Sequence, residues 1–146
     1  MQVDFYQLSR DPVHQVVPAI AARVLENGER LLIVEAREGG QDRLSQALWA
    51  AGPASFLAHD RAGCEHPALQ PILLAEECTA ANGASHIALA DGMWRDEALA
   101  FKRVFYFFDA TTTDHARACW KALKSRGDVA PRYWRQEGRR WVQGPL

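Results

Sequence analysis

One short apolar run constrains the fold of this chain more than any other feature. Leu31-Leu32-Ile33-Val34 carries four large hydrophobic side chains in a row, between Arg30 and Glu35. A strand with one face in water alternates apolar and polar residues, and this run does not alternate. The pattern therefore predicts a strand buried on both faces, as in parallel sheets covered by helices on each side.

Helix and strand patterns alternate along the rest of the chain. Residues 3–8 read as a strand, Asp11-Pro12 offers a helix start, and Asn27-Gly28 a helix stop. Pro18 inside that helix either kinks it or marks its true first turn. Further helices are predicted at 42–51, 94–101 and 113–126, and further strands at 55–58, 71–75, 86–90 and 103–108, with a terminal strand or hairpin at 133–141. This alternation predicts an α/β fold in three layers (α/β/α), with a mostly parallel, Rossmann-like sheet.

Length and composition indicate a single domain spanning residues 1–146. The chain has 146 residues, of which 48% are hydrophobic, enough for one core and too few for two ordinary domains. It begins without a signal-peptide pattern and lacks a continuous apolar stretch of membrane-spanning length, so we expect a cytoplasmic protein away from membranes. Cys64, Cys78 and Cys119 are an odd number at unrelated spacings, and we expect free thiols.

Charge is distributed unevenly along the chain. The net charge of −1 excludes a uniformly basic nucleic-acid-binding protein. Residues 1–101 contain 7 basic and 14 acidic side chains, whereas residues 102–146 contain 10 basic and 4 acidic ones. This asymmetry favours an acidic partner at the C-terminal third, although scattered solvated cations would give the same count.

Sequence signatures of the common enzyme classes are missing. No G-x-G-x-x-G, G-x-x-x-x-G-K-[ST] or G-x-S-x-G motif occurs, and Gly39-Gly40 has the composition of an ordinary turn between elements. A zinc site is not indicated, because no C-x-x-C pair accompanies the candidate ligands Cys64, His66, Cys78 and His86. We therefore expect neither a catalytic site nor a cofactor, and a small-molecule enzyme of a class without these motifs stays an alternative.

The last predicted helix carries a basic stripe beside its apolar face. At helical spacing Arg117, Lys121 and Lys124 fall on one side, and Trp120 lies at the border with the apolar residues. Such a stripe suits a peptide that carries both a carboxylate and a hydrophobic side chain. Two alternatives stay open: Trp120 packs on the sheet beside merely solvated cations, or the stripe binds single-stranded nucleic acid together with the basic and aromatic residues at 132–135 and 139–141.

A second candidate surface lies at the end of the second predicted helix. Trp49 sits at the edge of that helix, and Phe56 follows the Gly52-Pro53 break. Large aromatic residues at the end of an element are frequent interface anchors, and equally often they cover a core.

Several islands of the sequence resemble one known family, the chi subunit of bacterial DNA polymerase III. They are Phe5-Tyr6-x-Leu8, Asn27-Gly28-x-x-Leu31-Leu32-Ile33, Leu44-x-x-Ala47-Leu48-Trp49, Ser55-Phe56-Leu57-Ala58-His59-Asp60 and the stretch from Ala116 to Lys124 followed by Gly127. The resemblance implies a three-layer α/β fold without its own catalytic site. It also implies an adaptor in DNA replication, which binds the acidic, phenylalanine-terminated tail of single-stranded-DNA-binding protein and, elsewhere, the psi subunit of the clamp loader.

The resemblance also implies roles for particular residues. Arg117 would pair with the carboxylates of the tail, Trp120 and Phe108 would wall the pocket for its terminal ring, Lys121 would add charge, and Arg132 would lie at the pocket edge. With the neighbouring cation of the stripe, the implied tail-binding set is Arg117, Trp120, Lys121, Phe108, Arg132 and Lys124.

The psi subunit would contact Trp49 and Phe56, and DNA would be reached indirectly through the partner. The alternative function is a single-stranded-nucleic-acid-binding or nucleotide-dependent α/β module. The missing phosphate loops and the near-neutral net charge count against that alternative.

Overall fold

The computed structural model describes residues 1–51, 57–138 and 140–144. The strands within these ranges are β1 (Gln2–Gln7), β2 (Leu31–Val34), β3 (His59–Arg61), β4 (Ile72–Ala75), β5 (His86–Leu89), β6 (Arg103–Phe108), β7 (Ala130–Glu137) and β8 (Arg140–Gln143). The α-helices there are α1 (Val13–Glu26), α2 (Gly40–Trp49) and α3 (Thr113–Lys124), and short 3₁₀ helices occur at Pro67–Leu69 and Asp96–Ala100.

All eight strands join one sheet in the order β3-β4-β2-β5-β6-β1-β7-β8. Neighbouring strands are parallel except β7 and β8, which form an antiparallel hairpin. One face of the sheet packs against the apolar sides of α1 and α2, and the other packs against α3. The predicted three-layer α/β/α fold with a mostly parallel sheet is therefore confirmed.

The run at Leu31–Val34 is a strand buried on both faces, as predicted. All four residues are 0% exposed, and β2 is hydrogen-bonded between β4 and β5. Side chains alternate between the two faces of a strand, so half of this run contributes to each core layer. An apolar run of this kind needs helices on both sides, which α1, α2 and α3 supply.

The two N-terminal helices differ in detail from the sequence pattern. Helix α1 continues through Pro18, so Pro18 does not mark its first turn. Helix α2 begins at Gly40 rather than at residue 42, after Gly39 adopts a left-handed conformation with φ of +71°. A Cβ on Gly40 would lie 2.5 Å from Glu35 Cγ, so the glycine pair is explained by packing in the turn.

Other boundaries also shift. In the strand predicted at 55–58, residues 55 and 56 lie outside the described part, and Leu57 and Ala58 precede a strand that begins at His59. The helix predicted at 94–101 is a shorter 3₁₀ helix at Asp96–Ala100. The terminal segment is a hairpin, with Gly138 at φ of +64° in the turn between β7 and β8.

None of the helices described is both long enough and apolar enough to span a lipid bilayer.

Candidate functional site

Helix α3 divides its side chains between the core and the surface as its periodicity predicts. Ala116, Cys119 and Leu123 are buried against the sheet. The basic stripe, which we define as Arg117, Lys121 and Lys124, points outward and is exposed. The stripe therefore lies on a helix whose opposite side is anchored in the core.

Trp120 joins the basic stripe to the core. Its indole ring is half-buried and meets the Phe5 ring edge-on, with ring centroids 5.2 Å apart and an interplanar angle of 77°. Lys124 Nζ lies 5.8 Å from the centroid of the same indole ring. A surface concavity of about 620 Å³ is lined by Arg117, Ala118, Trp120, Lys121 and Lys124.

The cations of the stripe are available to an external anion. Across residues 1–51, 57–138 and 140–144, none of Arg117, Lys121 and Lys124 forms a salt bridge. Lys121 and Lys124 occupy the last turn of α3, where the helix dipole favours positive charge. The concavity thus combines positive charge with one face of an aromatic ring.

Phe108 does not line this concavity. It is 1% exposed and belongs to the core layer beneath α3, with its ring 6.4 Å from those of Phe5 and Tyr133. Phe108 ends β6, a strand buried in the middle of the sheet, so its ring supports the aromatic layer that carries Trp120. Its predicted contact with a bound aromatic ring stays a prediction.

Arg132 is not brought to the concavity either. Side chains alternate along β7: Tyr133 faces α3, whereas Arg132 and Trp134 face the opposite side of the sheet. There Arg132 Nε lies 3.2 Å from Asp4 Oδ1, in an ion pair that lacks hydrogen-bond geometry. The interpretation that residues 132–135 as a block extend the basic stripe is therefore wrong for Arg132 and Trp134.

Trp49 forms an exposed aromatic surface at the end of α2. It is 56% exposed, and its ring centroid lies 4.4 Å from that of His59. His59 Nδ1 donates to the Leu57 carbonyl at 2.8 Å, which leaves Nε2 to accept from the Ser45 hydroxyl at 2.8 Å. These two hydrogen bonds fix the imidazole against which Trp49 packs, while Phe56 lies outside the described residues.

A crevice lies at the carboxyl ends of the neighbouring strands β1 and β6. The helices that follow these two strands, α1 and α3, lie on opposite faces of the sheet. Doubly wound sheets usually bind their ligands at such a position. It measures about 340 Å³. The backbone N–H groups of Ser9, Arg10 and Asp11 all donate to Gln136 Oε1, at 3.3, 3.2 and 3.4 Å. A side chain of the chain itself thus occupies the donors that could otherwise bind a phosphate.

The candidate metal ligands are not assembled into a site. Among the residues described, no group of three or more His, Cys, Asp or Glu side chains could hold a metal ion. Burial instead dominates the chemistry of two of the thiols: it raises the pKa of Cys119 to about 12 and raises the pKa of Cys78 above its usual value.

Sequence reasoning missed an arginine and aromatic cluster on the sheet face opposite α3. Arg103 donates to the buried carboxylate of Asp4 at 2.8 and 2.9 Å, and Trp134 Nε1 donates to the same carboxylate at 3.1 Å. The Tyr6 ring stacks on that of Trp134. Burial raises the pKa of the Tyr6 hydroxyl to about 12. Alternation along β7 was the one sequence signal that pointed to this cluster.

Comparison with known proteins identifies one family. The family model described as DNA polymerase III chi subunit, HolC, matches residues 1–130. The match includes α3 and Trp49 and ends at the first residue of β7. A comparison with curated proteins finds no match.

Proposed function

Because the chain belongs to the DNA polymerase III chi-subunit family, we propose that it is a non-catalytic adaptor in DNA replication. In this proposal α3 binds the acidic C-terminal tail of single-stranded-DNA-binding protein. The end of α2 binds the psi subunit, which links the chain to the clamp loader.

The basic stripe around Trp120 is the observation that carries the proposal. Three exposed cations, which form no salt bridge with any described residue, line the same concavity as a half-buried indole ring. In the part of the chain that the structure describes, no acidic side chain lines this concavity, so its positive charge is not neutralised locally and favours the binding of an anion. The aromatic wall between them adds apolar area that an anion alone would not use.

The chemistry of the proposed tail matches both the cations and the aromatic ring of the concavity. The carboxylates of an acidic peptide pair with Arg117, whose planar guanidinium can bind one carboxylate through two hydrogen bonds. The terminal phenylalanine ring packs against Trp120, and the peptide's terminal carboxylate meets Lys121 or Lys124. Trp120 is held from behind by Phe5, so the aromatic wall is preformed.

The psi-binding role rests on Trp49 among the described residues. A tryptophan exposed over 56% of its surface at the end of a helix has the properties of an interface anchor. The His59 imidazole beneath it is held by two hydrogen bonds, which limits the freedom of the indole ring. The partner at this surface comes from the family resemblance and stays a prediction.

Calorimetric titration with the C-terminal peptide of single-stranded-DNA-binding protein from the same organism tests the adaptor proposal. We expect binding that weakens as salt is raised, because exposed charges are screened. A peptide without the terminal phenylalanine should bind much more weakly. Arg117→Ala should weaken binding by at least about tenfold, as expected for loss of charge-assisted hydrogen bonds.

Arg61→Ala is the matched control, since it removes the same charge from β3 at the far edge of the sheet. It should leave the affinity for the peptide unchanged. Undiminished binding by Arg117→Ala, or equal binding of the peptide without phenylalanine, contradicts the assigned site.

A further inference from the structure

A second concave surface lies between α1 and the β7–β8 hairpin. It measures about 520 Å³, and its polar and aromatic lining consists of Tyr6, Arg23, Arg103, Trp134, Arg140 and Trp141. Helix α1 contributes the remaining lining with the apolar side chains of Val16, Ala19 and Ile20. We call this surface the hairpin cleft.

The hairpin cleft carries an excess of positive charge. Of the residues described there, none that lines the cleft is acidic. Arg103 and the neighbouring Arg132 share the single carboxylate of Asp4, which is 0% exposed. Arg23 and Arg140 are exposed and form no salt bridge with any described residue. The cleft is therefore complementary to an anion.

Aromatic rings provide the floor of the cleft. The Tyr6 and Trp134 rings are stacked, with centroids 6.4 Å apart and planes at 15°. The Trp141 ring meets Tyr6 edge-on, with centroids 5.1 Å apart and planes at 83°. Both indoles are half-buried, so each is held in place by packing while part of its ring remains accessible.

The hairpin cleft is separate from the basic stripe in space and in sequence. It opens on the face of the sheet that carries α1, whereas α3 covers the other face. Trp134, Arg140 and Trp141 lie beyond residue 130, where the match to the family model ends. The cleft therefore combines matched residues of β1, α1 and β6 with three residues outside the match, and none of its described lining residues also lines the concavity at α3.

We propose that the hairpin cleft binds single-stranded nucleic acid. The exposed guanidinium groups of Arg23 and Arg140 contact phosphates, and unpaired bases stack on the accessible parts of Trp134 and Trp141. Alternating cations and aromatic rings favour a single strand over a duplex, whose bases are already stacked on one another. An acidic peptide that ends in phenylalanine would use the arginines and one indole ring, and would leave the other indole ring without a planar partner.

The test is fluorescence anisotropy of a labelled oligothymidine, titrated with the full chain at several salt concentrations. Arg140→Ala and Arg23→Ala should each weaken binding and reduce the slope of log affinity against log salt by about 0.7, the contribution of one phosphate contact on a single strand. Trp141→Ala should weaken binding on the order of tenfold, as for loss of one stacked base. If Trp141→Ala disturbs the hairpin, Arg23→Ala on the exposed side of α1 still tests the site.

Arg135→Ala is the matched control, because it removes an arginine from β7 on the opposite face of the sheet. It should bind oligothymidine with unchanged affinity, and an excess of oligoglutamate should not displace the oligonucleotide. Unchanged binding by Arg23→Ala and Arg140→Ala overturns the proposal. Displacement by oligoglutamate, or loss of binding on Arg117→Ala alone, overturns it as well by indicating a peptide site or binding at α3.

Discussion

A single buried carboxylate organises the side of the sheet that carries the hairpin cleft. Asp4 is 0% exposed in β1, and its oxygens accept hydrogen bonds from Gln2, Arg103 and Trp134. Arg132 adds the ion pair described above. These partners come from three adjacent strands, so one residue fixes the relative positions of cations and rings, although it lies 130 positions before Trp134 in the sequence.

Asp4→Asn should destabilise the fold by about 2 kcal/mol. The substitution keeps the shape of the side chain but removes the charge that Arg103 and Arg132 share. Both arginine side chains are more than one-third exposed, at 36% and 38%, so water offsets part of the loss. Urea unfolding followed by circular dichroism measures the change in free energy.

The control for this substitution is Asp128→Asn. Asp128 pairs with Arg126 on the surface, where such pairs contribute little. The control should unfold at the same urea concentration as the unsubstituted protein. Equal stability of Asp4→Asn and Asp128→Asn would show that the buried carboxylate does not organise this face.

At the scale of elements, the C-terminal hairpin is tied to the loop between β1 and α1. Gln136 in β7 accepts three backbone N–H groups from that loop through Oε1 and donates from Nε2 to Asp11 Oδ2 at 3.1 Å. Asp11 directly precedes Pro12, the N-cap of α1. The hairpin therefore also supports the start of α1, which forms one wall of the hairpin cleft.

Gln136→Ala should release this loop without unfolding the sheet. The amides of Ser9, Arg10 and Asp11 lose their acceptor, and we expect a destabilisation of about 1 kcal/mol because the site is only half-buried. Amide hydrogen exchange should become faster at these three residues. Gln143→Ala, at the exposed end of β8, is the control and should leave amide exchange in this loop unchanged. If the three amides stay protected in Gln136→Ala, the hydrogen bonds to Gln136 do not hold the loop.

Local pattern predicted the elements better than it predicted their contacts. The double-sided burial of Leu31–Val34 and the apolar face of α3 follow directly from periodicity. The start of α2 could not be predicted from periodicity. It depends on the left-handed conformation of Gly39 and on the close approach of Gly40 to Glu35, and composition does not specify such backbone geometry. The hydrogen bonds between Gln136 and the loop after β1 join residues about 125 positions apart. Residue spacing within one element cannot predict a contact at such a separation.

At the scale of the whole molecule, the sheet separates three candidate surfaces. Trp49 lies near the β3 edge, the basic stripe on the face covered by α3, and the hairpin cleft beside α1 toward the β8 edge. Adjacent residues of one strand belong to different surfaces, as Arg132 and Tyr133 do, because strand side chains alternate between faces. An adaptor with separated surfaces can hold its partners at the same time.

The members of the candidate site could be predicted from sequence only where one helix carries them. Arg117, Trp120, Lys121 and Lys124 share α3, so helical spacing was enough to group them. Arg132 was grouped with them by the family resemblance, and the pleat of β7 places it on the other face of the sheet. Alternation along β7 separates Arg132 from Tyr133, but which face of the strand carries α3 depends on how the folded sheet is connected.

The buried ionisable groups of the core predict that the fold loses stability in alkali. Burial raises the pKa of Cys119 and of Tyr6 to about 12 each, and it also raises the pKa of Tyr106, whereas the ordinary values are 9.0 for the thiol and 10.0 for the phenols. Above pH 9 for the thiol and above pH 10 for the phenols, the unfolded chain has released protons that the folded chain retains up to about pH 12, so the free energy of unfolding falls as pH rises. Within its own window each group lowers the free energy of unfolding by about 1 kcal/mol per pH unit, and well below pH 9 none of these groups contributes a slope. Urea unfolding at pH 8, 9, 10 and 11 measures this fall in the free energy of unfolding.

Cys119→Ala should reduce the fall between pH 9 and 10, because the thiol ionises before the phenols. Cys64→Ser removes a thiol outside the core and should leave the fall between pH 9 and 10 unchanged. A stability that is flat from pH 8 to 11, or the same fall between pH 9 and 10 in Cys119→Ala, would contradict burial of these groups as the cause.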